Sequence, residues 1–221
     1  GSWELRYAEA SPGEARWRTG LRPGRVTSDG PITPSLAAAG DTVAMAWTSR
    51  EDGVGLLWSV DGAAFERHVV TEADAPPVGP DVALALGEGG QALVVVWRSP
   101  DTARVYVATG SGPGDLRVQE LADGADSTTP TLRQLGAWPA AGWQEGDGLI
   151  VTFQDPFDND LLLSQGLAPP TVLASAGATG FHNALLLDGP RGAAFVYTAT
   201  LGFDSAGRSV AGPRLIPLPR P

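Results

Sequence analysis

A proline, one variable residue and then Leu or Val recur through the chain as Pro34-Ser35-Leu36, Pro80-Asp81-Val82, Pro130-Thr131-Leu132, Pro170-Thr171-Val172 and Pro213-Arg214-Leu215. The interval is about 40 to 50 residues, the period of stacked repeat units. A unit of that size cannot bury its apolar face alone and must pack on its neighbours, so the repeat constrains the fold more than any single residue does.

Each interval divides into short apolar or alternating runs separated by turn residues. The first gives residues 34–39, 42–48, 54–60 and 65–71, parted by Gly40-Asp41, Glu51-Asp52-Gly53 and Asp61-Gly62. Four runs joined by tight turns predict one antiparallel meander. The second gives 80–86, 92–98, 104–108 and 116–121. The third starts at Pro130 and includes 137–144, 149–154 and 161–164. The fourth runs from Pro170 through 183–187 and 193–198 and fades toward 207–211. Ahead of them, residues 3–8 and 15–19 flank Ser11-Pro12-Gly13, which reads as a hairpin turn.

Such meanders predict an all-β chain: a five-bladed β-propeller, a single domain over residues 1–221 with repeat starts near 34, 80, 130, 170 and 213. The last start has no room for a further unit. Its strand is expected to join the N-terminal strands in a shared closing blade, which removes open sheet edges. A second register reads 148–164 as second and third strands, treats 138–145 as an insertion and opens a blade at Asn183-Ala184-Leu185. It gives four blades plus extra strands.

Aromatic residues keep the same period. Tyr7, Trp58, Tyr106, Phe153 and Tyr197 fall in the third runs, and Trp47, Trp97 and Trp143 near the ends of second runs. Rings at such positions fill the wedge between neighbouring sheets, or stack on a sugar or base where a face is open.

The segment Trp58-Ser59-Val60-Asp61-Gly62-Ala63-Ala64-Phe65 resembles the Asp-box of sialidase-type and other BNR-repeat propellers, roughly Ser-x-Asp-x-Gly-x-x-Trp, with one residue missing and Phe in place of Trp. The resemblance implies a structural aspartate that caps the turn between third and fourth strands by accepting backbone N–H groups. The run from Phe153 to Leu161 is similar to segments of bacterial propellers with repeated blades.

A sialidase would further need an arginine triad, a Tyr–Glu pair and an acid/base Asp, and no such set can be assigned. Arg50, Arg98 and Arg214 lack the companions. Five-bladed glycosidases place two or three carboxylates at the channel mouth. Here Asp81 alone follows a repeat proline with a carboxylate, against Ser35, Thr131, Thr171 and Arg214 at the matching positions.

The acidic run Asp155, Asp158 and Asp160, with Asn159, offers oxygen ligands suited to calcium, although its spacing is not that of an EF-hand, no bidentate glutamate follows and turn capping is the preferred explanation. Apart from that possible Ca2+, no cofactor is expected. Two isolated histidines, His68 and His182, read first as surface or packing residues, with His182 the better ligand-facing candidate. The net charge of -10 argues against nucleic acid, which needs a basic stripe. No run approaches the ~18 apolar residues of a membrane helix, and with no cysteine there are neither disulfides nor thiol catalysis. Gly1-Ser2 reads as a cleavage remnant, with any export signal already removed.

The expectation is a non-catalytic recognition module, secreted, periplasmic or at the cell surface, that binds a carbohydrate or protein ligand through Trp47, Trp97, Trp143, Asp81, Arg214 and His182. A sialidase- or furanosidase-type hydrolase and a structural domain of a larger exported protein are the alternatives.

Overall fold

A computed structural model describes residues 3–6, 8–10, 13, 15–16, 18–19, 26–28, 34–49, 53–71, 82–87, 90, 93–98, 104–122, 138–144, 148–155, 158–188, 191–203 and 205–219. Four short strands come first: β1 (Trp3–Leu5) pairs with β4 (Val26–Ser28), and β2 (Ala8–Glu9) with β3 (Arg18–Thr19). Sheet one is β5 (Pro34–Ala39), β6 (Thr42–Ser49), β7 (Gly53–Ser59) and β8 (Glu66–Val69), in that order. Sheet two is β9 (Val82–Leu86), β10 (Leu93–Arg98), β11 (Val105–Gly110) and β12 (Arg117–Ala122). Sheet three is β13 (Ala140–Gln144), β14 (Gly148–Gln154), β15 (Leu161–Gln165) and β16 (Thr171–Ala174). Sheet four is β17 (Phe181–Asp188), β18 (Arg191–Phe203) and β19 (Ser209–Pro217). Every pairing among the described strands is antiparallel.

The first strands of the four sheets stand next to one another in chain order, β5 against β9, β9 against β13 and β13 against β17. Successive residues of a strand point to opposite faces, so each inner sheet must be apolar on both. In β9, Val82 and Leu84 join Ala44, Ala46, Val54, Leu56 and Trp58 between sheets one and two. Ala83 and Ala85 turn the other way, to Leu149, Val151 and Phe153 of sheet three. Ile150, Leu161 and Leu163 then meet Leu185, Leu187, Ile216 and Leu218 between sheets three and four. A hydroxyl stitches the first of these layers, where the Leu84 N–H donates to Ser35 Oγ at 3.1 Å.

The two leading units agree with the sequence reading strand for strand, and beyond them the register changes. Residues 140–144 form the first described strand of sheet three, not its second, and 171–174 form its fourth strand, paired with β15. Pro170 therefore introduces an outer strand rather than a new unit, and Phe181–Asp188 opens sheet four. The second register is closer, except that 138–145 is no insertion. Pro130-Thr131-Leu132 and Pro80-Asp81 lie outside the described residues.

Pro213-Arg214-Leu215 needs correction as well. It lies in β19, which pairs along its length with β18, while the N-terminal strands pair with each other. The expected strand shared between the two chain ends is therefore not formed by these residues. Proline gives a physical reason. The Leu218 N–H donates to Gly192 O, so even-numbered residues of β19 bond inward to β18 and odd-numbered ones face the open edge. Within β19, Pro213 and Pro217 sit at odd positions and remove donors from the edge that no described strand pairs with, as edge-strand prolines do.

Candidate functional site

The three tryptophans do not converge. Trp47 is 0% exposed and packs with Met45 and Leu57 on the face of sheet one turned away from sheet two. Its indole lies over Gly55, where any Cβ would come within 2.1 Å of the ring, and Arg67 covers it at 5.7 Å from the centroid. Trp97 is 4% exposed between sheets one and two and stacks on its cross-strand partner Tyr106 at 5.8 Å. Trp143 packs between sheets two and three, its Nε1 buried without a hydrogen bond. These rings fill three successive layers and offer no shared platform. Arg214 is half-buried on β19 and its Nη1 has no hydrogen bond. Asp81 lies outside the described residues.

The Asp-box-like turn behaves as its resemblance implies. Asp61 Oδ1 accepts the Ala63 N–H at 2.8 Å, the Ala64 N–H at 3.2 Å and the Ser59 hydroxyl at 3.1 Å, between β7 and β8. These donors hold its carboxyl below the usual aspartate range. Asp115 plays the same part between β11 and β12 with Ser111 and Gly112, and is lowered chiefly by the Ser111 hydroxyl.

Polar chemistry gathers elsewhere, at the end of the layer between sheets three and four. On β14 the face that begins with Ile150 continues as Thr152 and Gln154, so an apolar stripe becomes polar where the strand ends. Thr152 is fully buried and its Oγ1 accepts from Asn183 Nδ2 on β17 at 2.5 Å, a direct bridge between the sheets. Gln154 is 1% exposed, and among the described residues neither its Oε1 nor its Nε2 has a partner; Asn183 Oδ1 has none among them either. Gly180 lies against Gln154, with φ of +103° and a virtual Cβ 3.1 Å from Gln154 Cβ.

His182, at the start of β17, is exposed and meets the half-buried Trp138, which precedes β13, with ring centroids 5.7 Å apart and tilted by 60°. Both residues hold left-handed backbone, φ 39° at Trp138 and 49° at His182. For bulky side chains this costs roughly 1–3 kcal/mol each and persists only where surroundings enforce it.

The acidic turn borders the same place. The Asp155 N–H donates to Asp160 O, Asn159 N–H to Asp155 O, and Thr179 N–H to Asn159 O at 2.9 Å, which fastens the turn to the segment leading into His182. Burial, then the charges of Asp158 and Asp155, push the Asp160 carboxyl up. Among the described residues no group of three or more His, Cys, Asp or Glu is arranged to hold a metal ion, so the calcium expectation at Asp155, Asp158 and Asp160 gains no geometric support. The turn is held by backbone bonds instead. Of the expected residues, His182 is linked to the acidic turn through the Thr179 N–H to Asn159 O bond; Trp138 meets His182, whose neighbour Asn183 bonds Thr152, two residues from Gln154 on the same face of β14. Gln154 carried one sequence signal, an amide ending the mostly apolar run from Leu149 that Thr152 alone interrupts.

No family model matches the chain, and no curated protein matches it. Among solved structures it is similar to SapL1 lectin, determined in complex with alpha methyl fucoside, with 14% identity over 96% of this chain and 78% of that one and a TM-score of 0.54. A GH43 endo-arabinanase from Bacillus licheniformis is 14% identical over 85% of this chain and 72% of that one, with a TM-score of 0.47. A bifunctional GH43-CE protein of Bacteroides eggerthii is 15% identical with a TM-score of 0.39; the match covers 83% of this chain and 29% of that protein. The SapL1 likeness bears on fold alone.

Proposed function

We propose that this protein is a non-catalytic carbohydrate-recognition module, acting outside the cell or at its surface, that takes its ligand where β13 and β17 begin. The observation that carries this reading is the Trp138–His182 pair: two bulky residues held in left-handed backbone, one just before β13 and one at the start of β17, with their rings in contact. Strain of this kind concentrates where side chains must be presented to a ligand. An indole in contact with His182, whose sequence neighbour Asn183 carries an amide, suits a sugar, whose ring has an apolar face and a rim of hydroxyls. The SapL1 likeness is in keeping with it, since that protein is a lectin.

The fold that goes with this reading is a five-bladed propeller, with the N-terminal strands in the fifth place. Trp47 supports it. Trp97 faces the preceding sheet, and Trp47 faces away from sheet two in the same sense, already buried. A layer on that side of sheet one accounts for its burial.

Glycan-array binding of the wild type and of Trp138→Ala tests the function. Binding by the wild type that is lost in a folded Trp138→Ala supports it; no binding by the wild type, or binding unchanged by the substitution, counts against it. One observation favours a hydrolase instead. The backbone-bonded turn gathers three carboxylates, Asp155, Asp158 and Asp160, and Asp160 is the one that burial and its neighbours push up. Turnover of nitrophenyl glycosides that disappears in Asp160→Asn would decide for that reading.

A further inference from the structure

Resting on the carbohydrate reading, we propose that Gln154 and Asn183 form a hydrogen-bonding floor beneath the Trp138–His182 rim, and that this floor with its acidic border selects a neutral sugar over an anionic one. Gln154 is almost wholly enclosed, yet neither atom of its amide is bonded, and Asn183 Oδ1 is in the same condition. Both side chains belong to the layer between sheets three and four, linked through Thr152. Burying an amide without a partner destabilises a fold, and such a group is satisfied by ordered water, an ion or a bound molecule. An amide offers a donor and an acceptor together, which suits a sugar hydroxyl that both gives and takes a hydrogen bond.

Residues 179–182 close the floor on one side. Gly180 lays its backbone on Gln154 where a Cβ would crowd it, and Thr179 N–H to Asn159 O ties the segment to the acidic turn. The strained His182 ends the same segment, next to a break in register between Phe181 and Ala184. Because Gln154 is enclosed beneath this segment, a ligand reaches its amide when residues 179–182 move aside, a movement the proposed floor requires. A sugar carboxylate would enter beside Asp155, Asp158 and Asp160 and be repelled; a neutral ring would not.

The test uses Gln154→Leu, with Gln154→Met as a second variant, and reads two quantities. The first is the thermal midpoint without any sugar, which rises if the amide is unpaired in the free protein and falls if it has an internal partner; a fall in both variants overturns the proposal. The second is calorimetric affinity for methyl α-fucoside, methyl α-mannoside, methyl β-galactoside and N-acetylneuraminic acid. The neutral glycoside that binds the wild type should bind the variants at least tenfold more weakly, and N-acetylneuraminic acid should not bind. Equal affinity in variant and wild type, or preference for the anionic sugar, overturns the floor while leaving the carbohydrate reading in place. Failure of the wild type to bind any of the four overturns that reading itself, whatever the sugar-free midpoints show.

Discussion

Asp61 and Asp160 carry the same carboxyl group into opposite surroundings, and pH separates them. Asp61 is ringed by N–H and hydroxyl donors and its folded pKa lies below the unfolded value near ~3.9. Its stabilisation is therefore present above that unfolded value and is lost as pH falls through the folded one. Asp160 is raised by burial and by its acidic neighbours, so its contribution is fullest below the unfolded value and is lost as pH rises through the folded one. Urea midpoints should show it. Asp61→Asn lowers the midpoint at pH 7 and changes it little near pH 2, whereas Asp160→Asn raises it at pH 7 with little effect at low pH. Like signs for both at pH 7 would refute the assignment.

Between elements, shape matching dominates, and Trp47 with Gly55 is the clearest instance. Their cross-strand pairing leaves the indole no room unless Gly55 lacks a Cβ. Trp47→Ala should cost about 3–5 kcal/mol, and Gly55→Ala about 1–3 kcal/mol by overpacking. The second cost should largely vanish in the Trp47→Ala background, because the clashing partner is gone; chemical denaturation of the two single variants and the double variant reads this directly. Sheets one and two were legible because Gly40-Asp41, Asp61-Gly62 and the glycines from Gly110 to Gly114 mark each turn. Register slipped at Pro170 because a proline starts an outer strand as readily as an inner one, its missing N–H being tolerated at either edge. The site was half legible. His182 and the aspartates announce themselves by chemistry, but Thr152 and Gln154 follow ordinary strand alternation, and only the approach of β17 turns their face into a polar floor.

At the scale of the whole molecule, stacking sheets in chain order places the beginnings of β5, β9, β13 and β17 side by side, so residues far apart in sequence share one rim. Trp138 and His182 meet for that reason. The net charge of -10 makes the molecule as a whole unfavourable to anions, consistent with a neutral ligand. Leu36 on β5 and Leu186 on β17 stay 60% and 56% exposed, so the two end sheets keep apolar surface on their first strands. The most direct measurement of the central claim is a nitrogen-edited NMR titration of the intact chain with the neutral methyl glycosides. Shifts concentrated at the Trp138 indole, the His182 backbone and the side-chain amides of Gln154 and Asn183 are the predicted result; shifts confined to the outer strands β8, β12 and β16, or none at saturating sugar, would contradict it.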